Sequence, residues 1–337
     1  MDNAFFLSRT WSFLRKPAVS LALRVIVSAL LLTYLIQLSA FEGIALAFSR
    51  IEPLYLLGFF ALYFLSVSLQ SLRWKYLLKA WDVARKFHVL FRSIMSGLFL
   101  NNFLPGSLGG DVYRLYTGGR DTGKVEAVAA TIFYERLLSY SSLVTLGLIV
   151  LAVRADPARD WLFWSLLGGA LLGLLTLSAL SSIPAFERLA QGIMDRYSIA
   201  RKLRLTDWLN SFRFKVRHPA MLAGIFLISF LIQFVDVFSF RLVAAAIQLP
   251  VELNELLLFV PLLYLAILLP VSFNGIGVRE TVFVMFSSIW GIPSADAVAF
   301  SLTVFALNLA GSLVGGIIYW FDRPMPGNEI TKSEIVG

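Results

Sequence analysis

The chain has 337 residues, of which 58% are hydrophobic and 15% are charged, and its mean hydropathy is +0.78. A soluble protein of this length could not bury so much apolar surface, so the composition indicates a polytopic membrane protein. The chain has no Cys, which excludes disulfides, thiolate metal sites and cysteine nucleophiles. No basic stretch is interleaved with aromatic residues in a soluble context, so we expect no nucleic-acid partner.

Six apolar runs are long enough to cross a bilayer, which takes about 20 residues. The first follows Arg9, Arg15 and Lys16 and resembles a signal peptide. It lacks a small-residue cleavage site and is followed by further spans, so we interpret it as a retained helix. The six predicted spans are Val19–Leu38, Pro53–Leu72, Val125–Val153, Trp161–Leu180, Pro219–Leu249 and Asp296–Phe321.

Two further apolar regions, Val89–Leu104 and Glu255–Leu269, each stop at a proline. Each is about 24 Å long as a helix, which is short for a hydrocarbon core of about 30 Å. The sequences that follow repeat one another: counted from Pro105 or Pro270, both have Ser at +2, Gly at +5 and Arg at +9. Interrupted helices that carry charge are typical of transport sites in membrane proteins.

The distribution of basic residues predicts how these two regions are threaded. If each enters the membrane and returns to the same side, 22 of the 29 Lys and Arg lie in cytoplasmic segments, including Arg73–Arg92, and 3 lie in external loops. This bias fits the positive-inside tendency. The first re-entrant hairpin, about 89–124, then enters from the cytoplasm, and the second, about 255–290, enters from outside. Such a pair predicts an inverted repeat.

We therefore predict one all-α membrane domain over residues 1–337, with six transmembrane helices and two re-entrant hairpins. Its location would be a bacterial-type inner membrane, with cytoplasmic N- and C-termini. Hydrophobic residues recur at helical spacing in the basic segment 181–218. The sequence leaves two interpretations of that segment open: an amphipathic helical segment on the inner leaflet, or a solvated loop that only sets topology.

The first interrupted region offers backbone amides and charge together. Glycines let backbone amides approach a ligand, and lipid offers freed amides no partner. Asp111 and Arg114 are three residues apart and could share one helical face. The region therefore favours an anionic headgroup near Arg114, while an internal Asp111–Arg114 pair with glycines serving only the turn is the structural alternative.

The second interrupted region, Asn274-Gly275-Ile276-Gly277, precedes Arg279 and Glu280. A glycine-rich turn before a helix N-terminus can bind an anion, although no nucleotide-binding G-x-x-x-x-G-K-[ST] motif is present. Because Arg279 and Glu280 are adjacent, we expect their side chains to point in different directions. One would face the substrate, and the other would pair with a neighbouring helix.

Four more charged residues lie deep in apolar runs: Glu135, Arg136, Asp236 and Arg241. A central ionised side chain costs about 2.5–3.5 kcal/mol on insertion scales, so such residues normally face the bundle interior and are paired. Two interpretations remain open: a polar cavity for a charged headgroup, and buried ion pairs that fix helix register.

Together these motifs resemble the lysylphosphatidylglycerol synthase transmembrane-region family, also called the flippase-like membrane family. The resemblance rests on Asn102 to Asp111 with Arg114, then Glu135-Arg136-Leu137, then Asn274 to Glu280, in that order along the chain. It implies a lipid-translocating bundle with two re-entrant hairpins. Bifunctional relatives add a soluble domain that makes the lipid, and the sequence to Gly337 shows none, so we expect a stand-alone member.

The expected function is a flippase-like transporter that moves a phospholipid or lipid-linked headgroup between leaflets. Two alternatives remain: a membrane enzyme that modifies a lipid or lipid-linked sugar headgroup, and a non-catalytic partner subunit of a lipid synthase. We expect no catalytic residue, no metal and no cofactor. The expected partners are membrane lipids with phosphate-containing headgroups, and a homo-oligomer or a separate lipid-synthesising enzyme is a further possibility. The candidate substrate-binding residues are Asn102, Ser107, Gly109, Gly110, Asp111, Arg114, Glu135, Arg136, Asp236, Arg241, Asn274, Gly275, Gly277, Arg279 and Glu280.

Overall fold

A computed structural model shows an all-helical protein, with eight α-helices and no strand among the residues it describes. Those residues are 52–102, 108–119, 124–154, 168–169, 171–172, 219–268, 275 and 277–321. The predicted span Val19–Leu38, nearly all of Trp161–Leu180, and the segment 181–218 lie outside them. So do Ser107 and Asn274.

Four helices are long and apolar enough to cross a membrane. They match four of the six predicted spans and have 28 to 30 residues each. A 28-residue helix is about 42 Å long, more than a hydrocarbon core of about 30 Å requires. The four are α1 (Pro53–Ala80), α4 (Val125–Arg154), α5 (Pro219–Ala246) and α8 (Ser294–Phe321).

The predicted span Pro53–Leu72 is shorter than the helix that the structure shows there, α1. Leu72 was its expected end because Arg73 begins a basic stretch, yet α1 continues for two further turns. Arg73 is only 3% exposed and is paired inside the bundle, so its assignment to a cytoplasmic segment is wrong. A buried arginine with a counter-ion does not end a membrane helix.

The first interrupted region forms two short helices, α2 (Phe87–Asn101) and α3 (Leu108–Gly119). They run antiparallel, because Ser93 near the start of α2 contacts Thr117 near the end of α3. At the other end, the Asn101 side-chain oxygen accepts a hydrogen bond of 2.7 Å from the Gly110 backbone N–H. A side chain at Gly110 would collide with the α2 backbone, so glycine is required there for this close approach.

The second interrupted region also forms an antiparallel pair, α6 (Leu253–Leu268) and α7 (Val278–Trp290). Phe259 packs against Phe283 and Trp290, with ring centroids 4.7 and 4.8 Å apart. Gly277 begins α7 with a φ of 88°, in the left-handed region that favours glycine. Its N–H donates a 2.6 Å hydrogen bond to the Glu280 carboxylate, which closes the first turn.

Helices α1 and α5 form the antiparallel centre of the bundle. Gly58 near the start of α1 lies against Leu242 near the end of α5, and Arg73 reaches Ser229 at the opposite ends. Around this pair, α2 packs on α8 as α6 packs on α4, and α3 packs on α4 as α7 packs on α8. Suppose that α1, α2, α3 and α4 are exchanged with α5, α6, α7 and α8, respectively. Every pair of helices in extensive contact then maps onto a pair that is also in contact, and the α1–α5 pair maps onto itself. The packing of the described helices is therefore symmetric under this exchange.

Candidate functional site

A chain of alternating charges links three helices inside the bundle. Arg73 of α1 donates a hydrogen bond of 3.0 Å to one carboxylate oxygen of Glu135 on α4. Arg114 of α3 binds the other oxygen of Glu135, and one of its amino groups lies 3.9 Å from Asp111. Asp111 in turn pairs with Arg136 of α4. We call these five residues the charge network.

The charge network has more cations than anions. Three guanidinium groups face two carboxylates, so its net charge is +1 when all five are ionised. The buried Nε atoms of Arg73 and Arg114 also have no hydrogen-bond partner. Buried cations and donors are costly unless they are compensated. An anion with several acceptor oxygens would supply both the missing charge and the missing acceptors.

Two contacts hold Arg114 and Arg73 in place. The guanidinium of Arg114 lies 4.2 Å from the ring centroid of Trp74, within the range of a cation–π interaction. Trp74 is fully buried and donates a 3.1 Å hydrogen bond to Thr131, which fixes the ring. Arg73 also donates a 3.2 Å hydrogen bond to Ser229 of α5. These contacts fix the positions of both guanidinium groups within the bundle.

The charge network lines a cavity of about 280 Å³, which we call the charged cavity. Exposure rises along its wall: Arg114 keeps 13% of its side chain accessible and Arg136 keeps 41%. Helix α5 contributes Gln233 and Asp236 to the lining. Arg136 is therefore the accessible arginine of the cavity, and Arg73 and Arg114 are the buried ones. An entering anion would meet Arg136 before the more buried cations.

The two charged candidates on α5 differ in their surroundings. Asp236 borders the charged cavity and accepts a hydrogen bond of 2.9 Å from Ser66 of α1. Arg241 is partly exposed and is absent from the described lining of that cavity. The two residues do not form an ion pair with each other.

The second interrupted region forms a separate, closed cluster. Contrary to expectation, Arg279 and Glu280 do not point apart: Arg279 donates a 2.7 Å hydrogen bond to the Glu280 carboxylate. Ser301 of α8 donates to the same carboxylate oxygen at 3.0 Å, and the Arg279 guanidinium lies 4.6 Å from the ring of Phe305. The long arginine side chain folds back over the first turn of α7, so adjacent positions on a helix can still pair.

This closed cluster does not share the charged cavity. Neither Arg279 nor Glu280 belongs to the described lining of that cavity. Glu280 is fully buried, and one of its oxygens also accepts the Gly277 N–H. The structure therefore brings Asp111, Arg114 and other candidates together around one cavity and leaves α7 apart from them. The candidates that line the charged cavity are Asp111, Arg114, Glu135, Arg136 and Asp236.

The remaining described candidates hold the hairpins together. Asn102 donates hydrogen bonds to the Leu98 carbonyl and, at 2.9 Å, to Ser312 of α8. Gly109 and Gly110 are buried, as are Gly275 and Gly277. A side chain at Gly275 would meet Ile267 at 3.0 Å, and its φ is 76°. These residues shape the backbone of the hairpins, whereas the charged side chains face the cavity.

Arg73, which belongs to the charge network, and Trp74, which packs on Arg114, were not among the candidates. Arg73 directly follows the predicted span Pro53–Leu72. It could therefore have been considered as a cationic partner for Glu135, which lies deep in another apolar run. Trp74 could only be found through its neighbours, because tryptophan is common throughout this chain. Within the described ranges, no His, Asp and Glu side chains gather in a group of three or more that could hold a metal ion.

Comparison with known proteins gives a family for this arrangement. The family model described as the lysylphosphatidylglycerol synthase TM region matches residues 21–316. A UPF0104 membrane protein of Methanothermobacter thermautotrophicus (strain Delta H) is 24% identical over 302 residues, covering 82% of this chain and 88% of the relative. A second UPF0104 membrane protein from the same organism is 22% identical over 207 residues, covering 61% and 58%. No solved structure is significantly similar. The chain is therefore a multi-pass membrane protein that belongs to the lysylphosphatidylglycerol synthase TM region family.

Proposed function

We propose that the protein is a flippase-like transporter that carries the phosphate-bearing headgroup of a lipid between leaflets. One observation carries the proposal: a charge network with a net charge of +1 lines a cavity inside an apolar helical bundle. Ionisable residues at such depth usually mark a substrate or ion pathway.

The chemistry of the network favours a phosphate. Guanidinium groups match the oxygens of a phosphate with paired, charge-assisted hydrogen bonds. The charged cavity, about 280 Å³, is close to the lower limit of the roughly 300–1000 Å³ typical of small-molecule sites. It suits a headgroup without its acyl chains. The chains would remain in the lipid while the headgroup passes through the bundle.

Family membership supports a lipid as the carrier of that phosphate. The family description names lysylphosphatidylglycerol, a phospholipid, although the lipid moved by this chain can be a different one. The alternative headgroup-modifying enzyme and synthase partner have no comparable observation in their favour. We therefore assign transport as the function and Arg73, Arg114 and Arg136 as the phosphate ligands.

We further propose that the two antiparallel helix pairs are re-entrant hairpins of an inverted repeat. Helices of 12 to 16 residues reach about 18–24 Å, which is short of a full crossing. The symmetric packing of α1 to α4 with α5 to α8 supports the repeat. Without Arg73, which lies inside the bundle, 21 Lys and Arg are cytoplasmic on this threading and 3 are external, and this bias supports an inner-membrane protein with both termini in the cytoplasm.

The test is a leaflet-resolved assay in proteoliposomes. Phosphatidylglycerol with a fluorescent label on one acyl chain is bleached from outside by a membrane-impermeant reductant, and the rate at which inner-leaflet label becomes accessible is measured. We compare wild type with Arg136→Gln, because Asp111 still has Arg114 nearby in that variant. Lys75→Gln, which removes an exposed cation from α1, is the matched control.

We expect wild type and Lys75→Gln to transport at rates within about twofold of each other. Arg136→Gln should be slower by about tenfold or more, since one charge-assisted hydrogen bond contributes about 1.5–3 kcal/mol. The proposal fails if wild-type vesicles are no faster than protein-free vesicles for any phospholipid. The assignment of the charged cavity fails if Arg136→Gln and Lys75→Gln transport equally well.

A further inference from the structure

The charged cavity holds one ionisable group beyond the charge network, and that group balances its charge. Asp236 of α5 belongs to the described lining together with the five residues of the network. Three guanidinium groups then face three carboxylates, so this lining is neutral when all six side chains are ionised. A phosphate monoanion that enters it would leave one negative charge in excess. Uncompensated charge inside a bundle is costly, so an anionic headgroup requires one further positive charge.

Two of the three carboxylates are held firmly by arginine. Glu135 uses both of its oxygens, one for Arg73 at 3.0 Å and the other for Arg114. Asp111 pairs with Arg136 and lies 3.9 Å from an amino group of Arg114. Protonation of either carboxylate would break ion pairs inside the bundle and leave guanidinium groups uncompensated, which is strongly destabilising.

Asp236 is held by weaker contacts than the other two. One of its oxygens accepts a hydrogen bond of 2.9 Å from the Ser66 hydroxyl of α1. Arg73 interacts with Asp236 electrostatically, but the hydrogen bonds of that guanidinium go to Glu135 and Ser229. A hydroxyl can donate to a protonated carboxyl as well as to an ionised one, because the carbonyl oxygen still accepts. Asp236 is therefore the carboxylate that can take up a proton at the lowest cost.

Asp236 also lines a second cavity, of about 170 Å³. Along α1 this second cavity extends from Phe59 to Gln70, whereas the charged cavity extends from Gln70 to Arg73. A water molecule takes about 30 Å³ of liquid, so the second cavity has room for several. Water there offers a proton a path to Asp236 that avoids the arginines. The polar side chains that could bind this water are Tyr63, Ser66, Gln70, Ser239, Tyr264 and Asn308.

The other titratable groups that line the two cavities do not compete for this proton. Guanidinium groups keep their protons at every accessible pH, and phenols titrate only at about pH 10. The two remaining carboxylates are the ones held by arginine. Helix α8 contributes only the neutral Asn308 to the described linings. These groups are Tyr63 and Arg73 of α1, Asp111 and Arg114 of α3, Glu135, Arg136 and Tyr140 of α4, and Tyr264 of α6.

A phosphate and a proton should favour each other's binding. A phosphate that binds Arg73 offsets the positive charge that stabilises ionised Asp236, so Asp236 becomes easier to protonate. Conversely, protonation of Asp236 leaves the lining with a charge of +1, which a phosphate monoanion neutralises. Such coupling is reciprocal, so each ligand raises the affinity for the other by the same factor. Phosphate affinity therefore rises as the pH falls through the titration of Asp236 and is lost as the pH rises.

From this arrangement we infer that Asp236 is a proton-binding site and that one proton is carried with each monoanionic headgroup. Asp236 takes the proton from water when the phosphate binds, and the proton returns to water when the phosphate leaves. The loaded cavity is then electrically neutral. This inference rests on the proposed function, because it names the coupling ion of the same headgroup site. A proton gradient would set the direction in which an anionic phospholipid moves.

Proton uptake on binding tests the site without transport. The purified protein is titrated calorimetrically with short-chain phosphatidylglycerol in buffers of different ionisation enthalpy, which gives the number of protons taken up per lipid. For wild type we expect up to one proton at neutral and mildly alkaline pH, with affinity falling by up to about tenfold per pH unit. Asp236→Asn, which resembles the protonated acid, should take up none, and its affinity should not depend on pH.

Two variants serve as comparisons for Asp236→Asn. Asp236→Glu keeps the titratable group and should retain proton uptake. Asp82→Asn makes the same substitution at an exposed residue after α1, where a φ of 55° suits asparagine, and it should behave like wild type.

A transport experiment then tests the coupling. Phosphatidylcholine vesicles with a trace of acyl-labelled phosphatidylglycerol receive a gradient of about one pH unit, and the label in each leaflet is measured at steady state. Wild type and Asp82→Asn should shift the ratio between leaflets by up to about tenfold, the ratio of the two proton concentrations, and a protonophore should abolish the shift. Asp236→Asn should show no shift.

Several results would overturn the proton site. They are binding by wild type without proton uptake at any pH, uptake that persists in Asp236→Asn, and uptake that is lost in Asp236→Glu. A wild-type leaflet ratio that ignores the pH gradient, or that follows a sodium gradient at equal pH instead, overturns it whether or not the Asp236 variants fold. If wild type moves no phospholipid even without a gradient, the proposed function itself is overturned.

Discussion

Replacement of Glu135 by glutamine tests whether the charge network stabilises the folded protein. Glu135 is 4% exposed, and both of its oxygens are used: one by Arg73 at 3.0 Å and the other by Arg114. Glutamine has nearly the same volume but no charge, so the net charge of the network rises from +1 to +2. Removal of one partner of a buried ion pair costs about 3–5 kcal/mol. We expect the free energy of unfolding to fall by that amount.

A double-mutant cycle with Arg73→Met separates the ionic term from a general packing defect. Methionine retains much of the apolar stem of Arg73, and the double variant buries one unpaired charge fewer than Glu135→Gln alone. Its destabilisation should therefore be smaller than the sum of the two single effects by about 1–3 kcal/mol.

The free energy of unfolding is measured by chemical denaturation in mixed micelles, followed by tryptophan fluorescence. Glu252→Gln is the control, because Glu252 is exposed at the start of α6, and it should change stability by less than about 0.5 kcal/mol. Strictly additive effects of Glu135→Gln and Arg73→Met, or a cost below about 1 kcal/mol for Glu135→Gln, would show that the network contributes little.

Three further variants probe neighbouring features. Trp74→Phe weakens the cation–π contact with Arg114 and should reduce phosphate affinity by about two- to thirtyfold in calorimetric titration with a short-chain phospholipid; unchanged affinity would contradict the positioning role. Gly315→Ala places a methyl 1.9 Å from a carbonyl oxygen of α2 and should abolish the monodisperse peak in size-exclusion chromatography, whereas Gly224→Ala, with nothing within 4 Å, should not. Ser301→Ala removes a hydroxyl bonded to the ion pair of α7 and should cost about 1–3 kcal/mol of stability without slowing transport; a transport defect at unchanged stability would assign that cluster to the substrate path.

The hydropathy pattern was sufficient for much of the architecture. Four of the six predicted spans fall on long helices, and both short apolar regions fall on short helices, because the need to satisfy backbone groups in lipid is a local property. Helix boundaries were less well predicted. The end of α1 depends on whether Arg73 is solvated or paired, and its partner Glu135 is far away in sequence.

The candidate site was predicted by residue type more successfully than by arrangement. A charged residue in an apolar run is costly alone, so the sequence identifies Asp111, Glu135 and Arg136 as candidates without any structure. Which charges meet depends on helix rotation and packing, which are set by distant contacts. The prediction that Arg279 and Glu280 point in different directions is wrong for a local reason. Helix geometry separates their Cβ atoms, but the long guanidinium side chain of Arg279 folds back to the neighbouring carboxylate.

The helices α1 to α4 and α5 to α8 pack in the same way, but the charged residues in the two sets have different partners. Arg114 and Arg279 each lie nine residues after the proline that interrupts the preceding helix, and each contacts the long helix that follows. Arg114 meets Glu135, which is shared with Arg73, so the network stays open and cationic. Arg279 meets the neutral Ser301 and takes its carboxylate from Glu280, so that cluster is closed and balanced. Among the described residues, the first half combines buried arginine Nε atoms that lack a hydrogen-bond partner with a cavity, as the proposed phosphate site requires, whereas the cluster of the second half is closed.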